Sequence, residues 1–306
     1  MRLHTQVMLL LVAGCARQEQ PPAVDTLATT PAVAATREVV AEGFSTPESA
    51  IYDADQAVWF VTNINGVPSE KDGNGFISRL TRDGTIDSLH FVEGGRGGAT
   101  LHAPKGQAIT GDTLWVADID AVRGFNKRTG APLAAVEFGR RARFLNDIAV
   151  GPDGALYITD TGIIIANGQI EHPGPDRLFR LAGRTITILA EGDRLERPNG
   201  IAWDNANRRF IMVGFGGKTV FAWAPDSTPA AMAEGPGGHD GVVVLDDGRI
   251  LVSSWADSTV FLAGKDRSSK TVTGVDAPAD IGLDPSRRRI AIPLFNRNRV
   301  EFWTIP

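Results

Sequence analysis

The chain has 306 residues, 42% of them hydrophobic, with 34 glycines and a formal net charge of -5. That supplies enough apolar side chain for a sizeable core but no excess of basic residues, which excludes nucleic acid as a partner. A single cysteine, Cys15, leaves neither a disulfide framework nor a thiolate metal site in the body of the chain.

At the N-terminus, Arg2 and His4 precede an apolar run from Val7 to Val12. The run is too short to cross a bilayer and is followed by small residues, the layout of an export signal. Val12-Ala13-Gly14-Cys15 resembles the lipobox of bacterial lipoproteins, which implies a signal peptide over 1–14 and lipidation of Cys15. Residues 15–36 are rich in Pro, Ala, Thr and Gln without hydrophobic periodicity, so they read as the lipidated cysteine and a flexible tether. The expectation is an exported protein held to the bacterial cell envelope, on its periplasmic side or at the cell surface, with the membrane as partner through Cys15. The folded body spans 37–306.

From there one phrase recurs six times: a turn, a short hydrophobic strand, a Gly/Asp turn and a second hydrophobic strand. It reads TPESAIYDADQAVWFVTN from Thr46, APKGQAITGDTLWVAD from Ala103, FLNDIAVGPDGALYITD from Phe144, RPNGIAWDNANRRFIMVG from Arg197, GHDGVVVLDDGRILVSS from Gly238 and APADIGLDPSRRRIAIP from Ala277. A further strand follows each pair, as in Phe76 to Leu80 and Val122 to Asn126. Units of about forty residues built this way predict a radial array, an all-β, six-bladed β-propeller of four-stranded antiparallel blades. Arg37 to Gly43, ahead of the first phrase, is placed to give the sixth blade its outer strand and so close the ring.

Equivalent positions of the phrase hold Glu48, Lys105, Asn146, Asn199, Asp240 and Ala279, spaced by 57, 41, 53, 41 and 39 residues. The two long gaps contain insertions at 63–75 and 161–176, candidate lids. A propeller brings such a column together at one mouth of its channel. Glu48, Asn146, Asn199 and Asp240 then offer two carboxylates and two amides, oxygen donors that suit a hard divalent ion. Asn and Asp are also common turn formers, but a column that changes identity from blade to blade is what one asymmetric site requires. Calcium is the first expectation, with manganese, magnesium or zinc as alternatives. Lys105 in the same column either turns away from the ion or binds an anionic part of a substrate.

Other polar residues receive structural readings. Asn63, Asp118 and Asp160 end second strands and are expected to cap turns. His239 is expected to be structural, and Asp147 and Asp280, beside the column, are not expected to form a second ion site. Trp59, Trp115, Trp203 and Trp255 fall in strand runs and are expected in the core between blades. The glycine clusters at 73–75 and 94–98 lack the context of a phosphate-binding loop.

The succession of PES, RFLND, RPNG and HDG at blade starts resembles the gluconolactonase and regucalcin (senescence marker protein) family, and more distantly the paraoxonases and diisopropyl fluorophosphatase. The resemblance covers about residues 44–303. It implies a divalent metal in the channel held by Glu48, Asn199 and Asp240, with Asn146 facing metal or substrate. Arg143 stands near the place of a substrate-binding arginine, one residue further from the Asn than in the family's pattern. The chemistry implied is hydrolysis of a lactone or related ester, with Asp240 as proton acceptor. Lys105 departs from the familiar pattern. A second reading is a non-enzymatic envelope propeller that binds a protein or small ligand through its loops.

Overall fold

The computed structural model describes residues 34–264 and 269–306. Cys15, the signal segment and nearly all of the tether lie outside the described residues. The body opens with β1 (Thr36–Glu42), and the first blade is β2 (Pro47–Asp53), β3 (Val58–Asn63), β4 (Phe76–Thr81) and β5 (Ile86–Glu93). The second is β6 (Pro104–Thr110), β7 (Thr113–Asp118), β8 (Ala121–Asn126) and β9 (Pro132–Glu137). The third holds β10 (Leu145–Val150) and β11 (Leu156–Asp160), then a separate hairpin, β12 (Ile164–Ala166) with β13 (Gln169–Glu171), before β14 (Arg177–Ala182) and β15 (Thr185–Glu191). The fourth is β16 (Pro198–Asp204), β17 (Arg209–Gly214), β18 (Thr219–Trp223) and β19 (Ala230–Glu234). The fifth is β20 (His239–Val244), β21 (Ile250–Ser254), β22 (Thr259–Ala263) and β23 (Ser269–Thr273). The last comprises β24 (Gly282–Asp284), β25 (Arg289–Leu294) and β26 (Arg299–Thr304), and its fourth strand is β1. The chain is therefore the six-bladed propeller that the repeat predicts, closed by its own N-terminal strand.

Alternation along each strand builds the core. In β3, Trp59 and Val61 face the last blade, packing with Ala291, Val300 and Phe302, whereas Phe60 between them faces the second blade, with Leu114, Val116 and Phe125. This two-residue period is that of a pleated strand covered on both faces. Equivalent clusters fill the other blade interfaces, with Phe179 and Ile158 against Ala117 and Val122, Phe210 against Tyr157, Val252 against Val213, and Ile290 against Val260. Each fully buried aromatic or aliphatic side chain contributes about 1.5–3 kcal/mol.

The inner strands share an irregularity. Their pairing with the second strand slips between Pro47 and Ser49, Pro104 and Gln107, Leu145 and Ile148, Pro198 and Ile201, and His239 and Val242. A β-bulge therefore sits in blades one to five at the column that begins with Glu48. Bulges re-aim side chains and commonly adjoin functional sites.

β1 pairs with β26 from Thr36↔Thr304 to Glu42↔Arg299. Deleting residues 34–42 should bare the edge of β26 and lower Tm by on the order of 10 °C, measured by thermal unfolding. An unchanged Tm would show that the closure contributes nothing.

Candidate functional site

Glu48, Lys105, Asn146, Asn199 and Asp240, from five blades, line one cavity of ≈ 240 Å³ at one mouth of the channel. All are buried, and Ala279, the sixth member of the column, is buried without lining the cavity. Their positions are over-determined. In the first three blades a polar residue ends the second strand and accepts hydrogen bonds from the segment that approaches the inner strand. Asn63 accepts from Ser45 N, Asp118 from His102 N and Ala103 N, and Asp160 from Arg143 N and Phe144 N. These are the capping roles the sequence suggests. The residue after the column either joins the next blade or is a glycine. Asp147 accepts from Ile148 N and Ile201 N, both at 2.7 Å, and Ser49 donates to Asp280 at 2.5 Å. A Cβ on Gly106 would lie 2.2 Å from Asp147 Oδ1, so only glycine allows the two inner strands to approach there.

The oxygen donors are left unpartnered. Among the described residues, Glu48 Oε2, Asn146 Oδ1, Asn199 Oδ1 and Asp240 Oδ1 are buried without a hydrogen-bond partner. Asn146 directs its amide nitrogen to Thr161 Oγ1 at 2.9 Å, which leaves its carbonyl oxygen for the cavity. Thr161 in turn donates to Pro198 O at 2.9 Å, tying Asn146 to the strand that carries Asn199. A buried polar atom left alone costs about 1–3 kcal/mol, and four at one point call for a ligand. Two carboxylates and two amide oxygens fit a hard divalent cation; with amides as half of the set, it differs from a site of three or more His, Cys, Asp or Glu placed to hold a metal ion, and none of that kind is found among the described residues.

The charges are correspondingly unbalanced. Burial pushes Glu48 well above the usual carboxylate range, Asp240 and Asp280 add to the shift, and Lys105 opposes it. Burial raises Asp240 likewise, followed by Asp280, while the Trp255 indole N–H approaches without closing a well-formed hydrogen bond and opposes the rise. Lys105 donates to Ala103 O at 2.9 Å and lies 4.2 Å from the centroid of Phe144. Burial brings it down to about 8, against Glu48, Asp118 and Asp160. It faces the cavity instead of turning away.

Arg143 is not among the residues that line the cavity; its Nε donates to Gly174 O and holds the second insertion in place. His239 is fully buried, accepts from Gly237 N at 3.1 Å and is pushed down to about 4 by burial, a neutral structural imidazole. Trp255 corrects the expectation of a core role. It lines the cavity, with Phe215 at 5.3 Å and Phe295 at 5.2 Å between ring centroids. The signal for it was present in the repeat, in the position just after each second strand, which holds Ile64, Ile119, Thr161, Phe215, Trp255 and Phe295. The backbone N–H of this position bonds the carbonyl two residues before the ligand column in five blades, as in Trp255 N to Gly238 O. Both expected lids reach the cavity, the first through Pro68 and the second through Ile163, Ile165 and Ile170. They meet where Ser69 Oγ donates to Ile165 O and accepts from Ile165 N.

Fold and site define a β-propeller with a single asymmetric polar centre at one channel mouth. A family profile described as SMP-30/Gluconolactonase/LRE-like region matches residues 46–281, and the chain belongs to that family. No curated protein matches it in sequence. Among solved structures it is similar to a gluconolactonase from Xanthomonas campestris, at 17% identity, 87% of this chain, 88% of that one and a TM-score of 0.64. A putative gluconolactonase is similar at 18% identity, 90% and 93% coverage and a TM-score of 0.65. A streptogramin B lyase is similar at 12% identity, 89% and 98% coverage and a TM-score of 0.61. At these identities the likeness is one of fold.

The buried carboxylates set a pH dependence. Asp280 is pushed up to about 7 by burial, against its hydrogen bond from Ser49, from an ordinary value of 3.8. The folded chain thus holds a proton that the unfolded chain releases, so its contribution to stability is complete below about pH 3.8 and is lost as pH rises through 7. The raised Glu48 and Asp240 act in the same direction, whereas Lys105 acts only above pH 8. With a chelator present, Tm measured by thermal unfolding should fall between pH 5 and pH 7.5. A metal-free Tm that rises over this interval would contradict the assignment.

Proposed function

We propose that the protein is a metal-dependent hydrolase that opens a lactone or related ester at the centre formed by Glu48, Asn146, Asn199 and Asp240. The observation that carries this reading is the set of four buried, unpartnered oxygens supplied by four different blades. Family membership and the fold shared with gluconolactonases support it. Calcium is the proposed ion, because every donor is a hard oxygen. Bound there, it would supply Lewis-acid polarisation of a substrate carbonyl and lower the pKa of a neighbouring water.

The chain's own residues supply the rest. With Oδ1 assigned to the ion, Asp240 is the proposed acceptor of the proton from the attacking water through its second carboxylate oxygen. Trp255 borders that carboxylate and fixes its surroundings. Lys105 uses one of its three donors on Ala103, which leaves two for the negative charge that appears on an ester oxygen or on the carboxylate product. Thr161 keeps Asn146 oriented, and the two insertions cover the mouth and limit the entry of bulk water.

The N-terminal sequence supports export and anchoring to the cell envelope through a lipid on Cys15. Cys15→Ser should abolish incorporation of labelled fatty acid and release the protein from the membrane fraction; retained label would refute the anchor.

For the site, calorimetry with Ca²⁺ and turnover of a lactone and ester panel are the decisive measurements. Glu48→Gln and Asn199→Ala should each weaken ion binding on the order of 10²-fold, and Asp240→Asn should retain measurable ion binding while kcat falls about 10²–10⁴-fold. Full activity in Asp240→Asn would remove it as the base. Tight ion binding by the unaltered protein with no turnover would favour the non-enzymatic propeller.

A further inference from the structure

Above the oxygen donors, the cavity is walled by Ile64, Ile163, Ile165, Phe215, Trp255 and Phe295. Some of the polar groups near this lining are already engaged. Thr161 Oγ1 accepts from Asn146 and donates to Pro198 O, and Lys105 is anchored on Ala103 O. The Ser69 hydroxyl, at the junction of the two insertions, is taken up on both sides by the Ile165 backbone. The polar groups left open to a ligand are the carboxylates of Glu48 and Asp240, the side-chain amides of Asn146 and Asn199, the Trp255 N–H and the remaining Lys105 donors, whereas Ile64, Ile163, Ile165, Phe215 and Phe295 offer nothing to a hydroxyl group. A polyhydroxylated ring would leave most of its hydroxyls facing Ile and Phe side chains.

Resting on the hydrolase reading, we infer that the substrate presents an alkyl or aryl group to this chamber and is not a polyhydroxylated sugar lactone. The volume of ≈ 240 Å³ suits a single ring with a short substituent. The Phe215, Trp255 and Phe295 rings, tilted or edge-on to one another at 5.2–5.3 Å, form one continuous apolar wall beside Asp240. Ile170 lines the same cavity and is 57% exposed, so the apolar surface continues over the rim. That rim gives a chain too long for the chamber a path to solvent. The insertion hairpin β12–β13 thus determines specificity: its isoleucines face the group that distinguishes one substrate from another, while the donors below them handle the carbonyl that all substrates share.

The test compares kcat/KM of the full-length protein with Ca²⁺ for δ-octalactone, an alkyl lactone, and glucono-δ-lactone. A hydroxyl directed at an apolar wall costs on the order of 10²-fold, so a preference for δ-octalactone of at least about 10²-fold is expected. Equal or reversed rates would overturn the inference while leaving the hydrolase reading intact. Ile165→Asn, whose backbone remains pinned by Ser69, should reduce the preference about tenfold or more at unchanged Tm, and an unaltered ratio in a folded variant would overturn the role of the hairpin. If no member of the lactone and ester panel is hydrolysed, the hydrolase reading fails, and the chamber is then judged by calorimetry with an inert propyl-substituted tetrahydropyran. Binding with a negative heat-capacity change supports an apolar ligand, and no binding overturns it.

Discussion

The β-bulge at the start of the inner strands is the constraint on which the rest of the molecule depends. An extra residue there places two successive side chains where a regular ladder would place one. The first, as in Glu48, Asn146 and Asp240, reaches the cavity at the channel mouth. The second either crosses to the next blade, as Asp147 does to Ile201 N and Ser49 to Asp280, or is a glycine that lets the next strand approach. One local irregularity thereby separates the residues that can meet a ligand from those that hold the ring together.

The same division appears in the electrostatics. Four carboxylates, Glu48, Asp147, Asp240 and Asp280, are buried around the axis, and burial raises each of them. Asp147 is satisfied by two backbone N–H groups and Asp280 receives the Ser49 hydroxyl, so their cost is offset within the fold. Glu48 and Asp240 keep an oxygen apiece with nothing to accept, and Asn146 and Asn199 each add another. Lys105 answers only part of that charge, because its own burial also disfavours ionisation. An unsatisfied layer is thus stacked on a satisfied one, and the proposed binding centre draws on the first while the seam between blades draws on the second.

Much of this was legible in the chain because a repeat makes comparison internal. Aligning six phrases identified the blades, the column of Glu48, Lys105, Asn146, Asn199 and Asp240, and the two insertions. The residues that wall the cavity were overlooked because a hydrophobic side chain at the end of a strand reads as core. Trp255 differs from Trp59 in one respect: it stands one residue past its strand, in register with Ile64 and Phe295, and there the chain turns across the mouth instead of running between blades. Arg143 shows the opposite case. Its sequence neighbourhood pointed to the substrate, but its guanidinium is engaged by the Gly174 carbonyl.

By itself, the sequence determined the all-β class, the number of blades, closure by the N-terminal strand and the column of polar residues at the blade starts, since each is a matter of periodicity or of what recurs at one position. The tertiary structure alone decided which oxygens remain unpartnered, that Lys105 faces the cavity, and that the two insertions meet at Ser69 and Ile165. Those outcomes depend on contacts between segments far apart in the chain, from Glu48 to Phe295 around the cavity, whose directions follow from blade packing and from where bulges turn each side chain, and no periodicity carries that information.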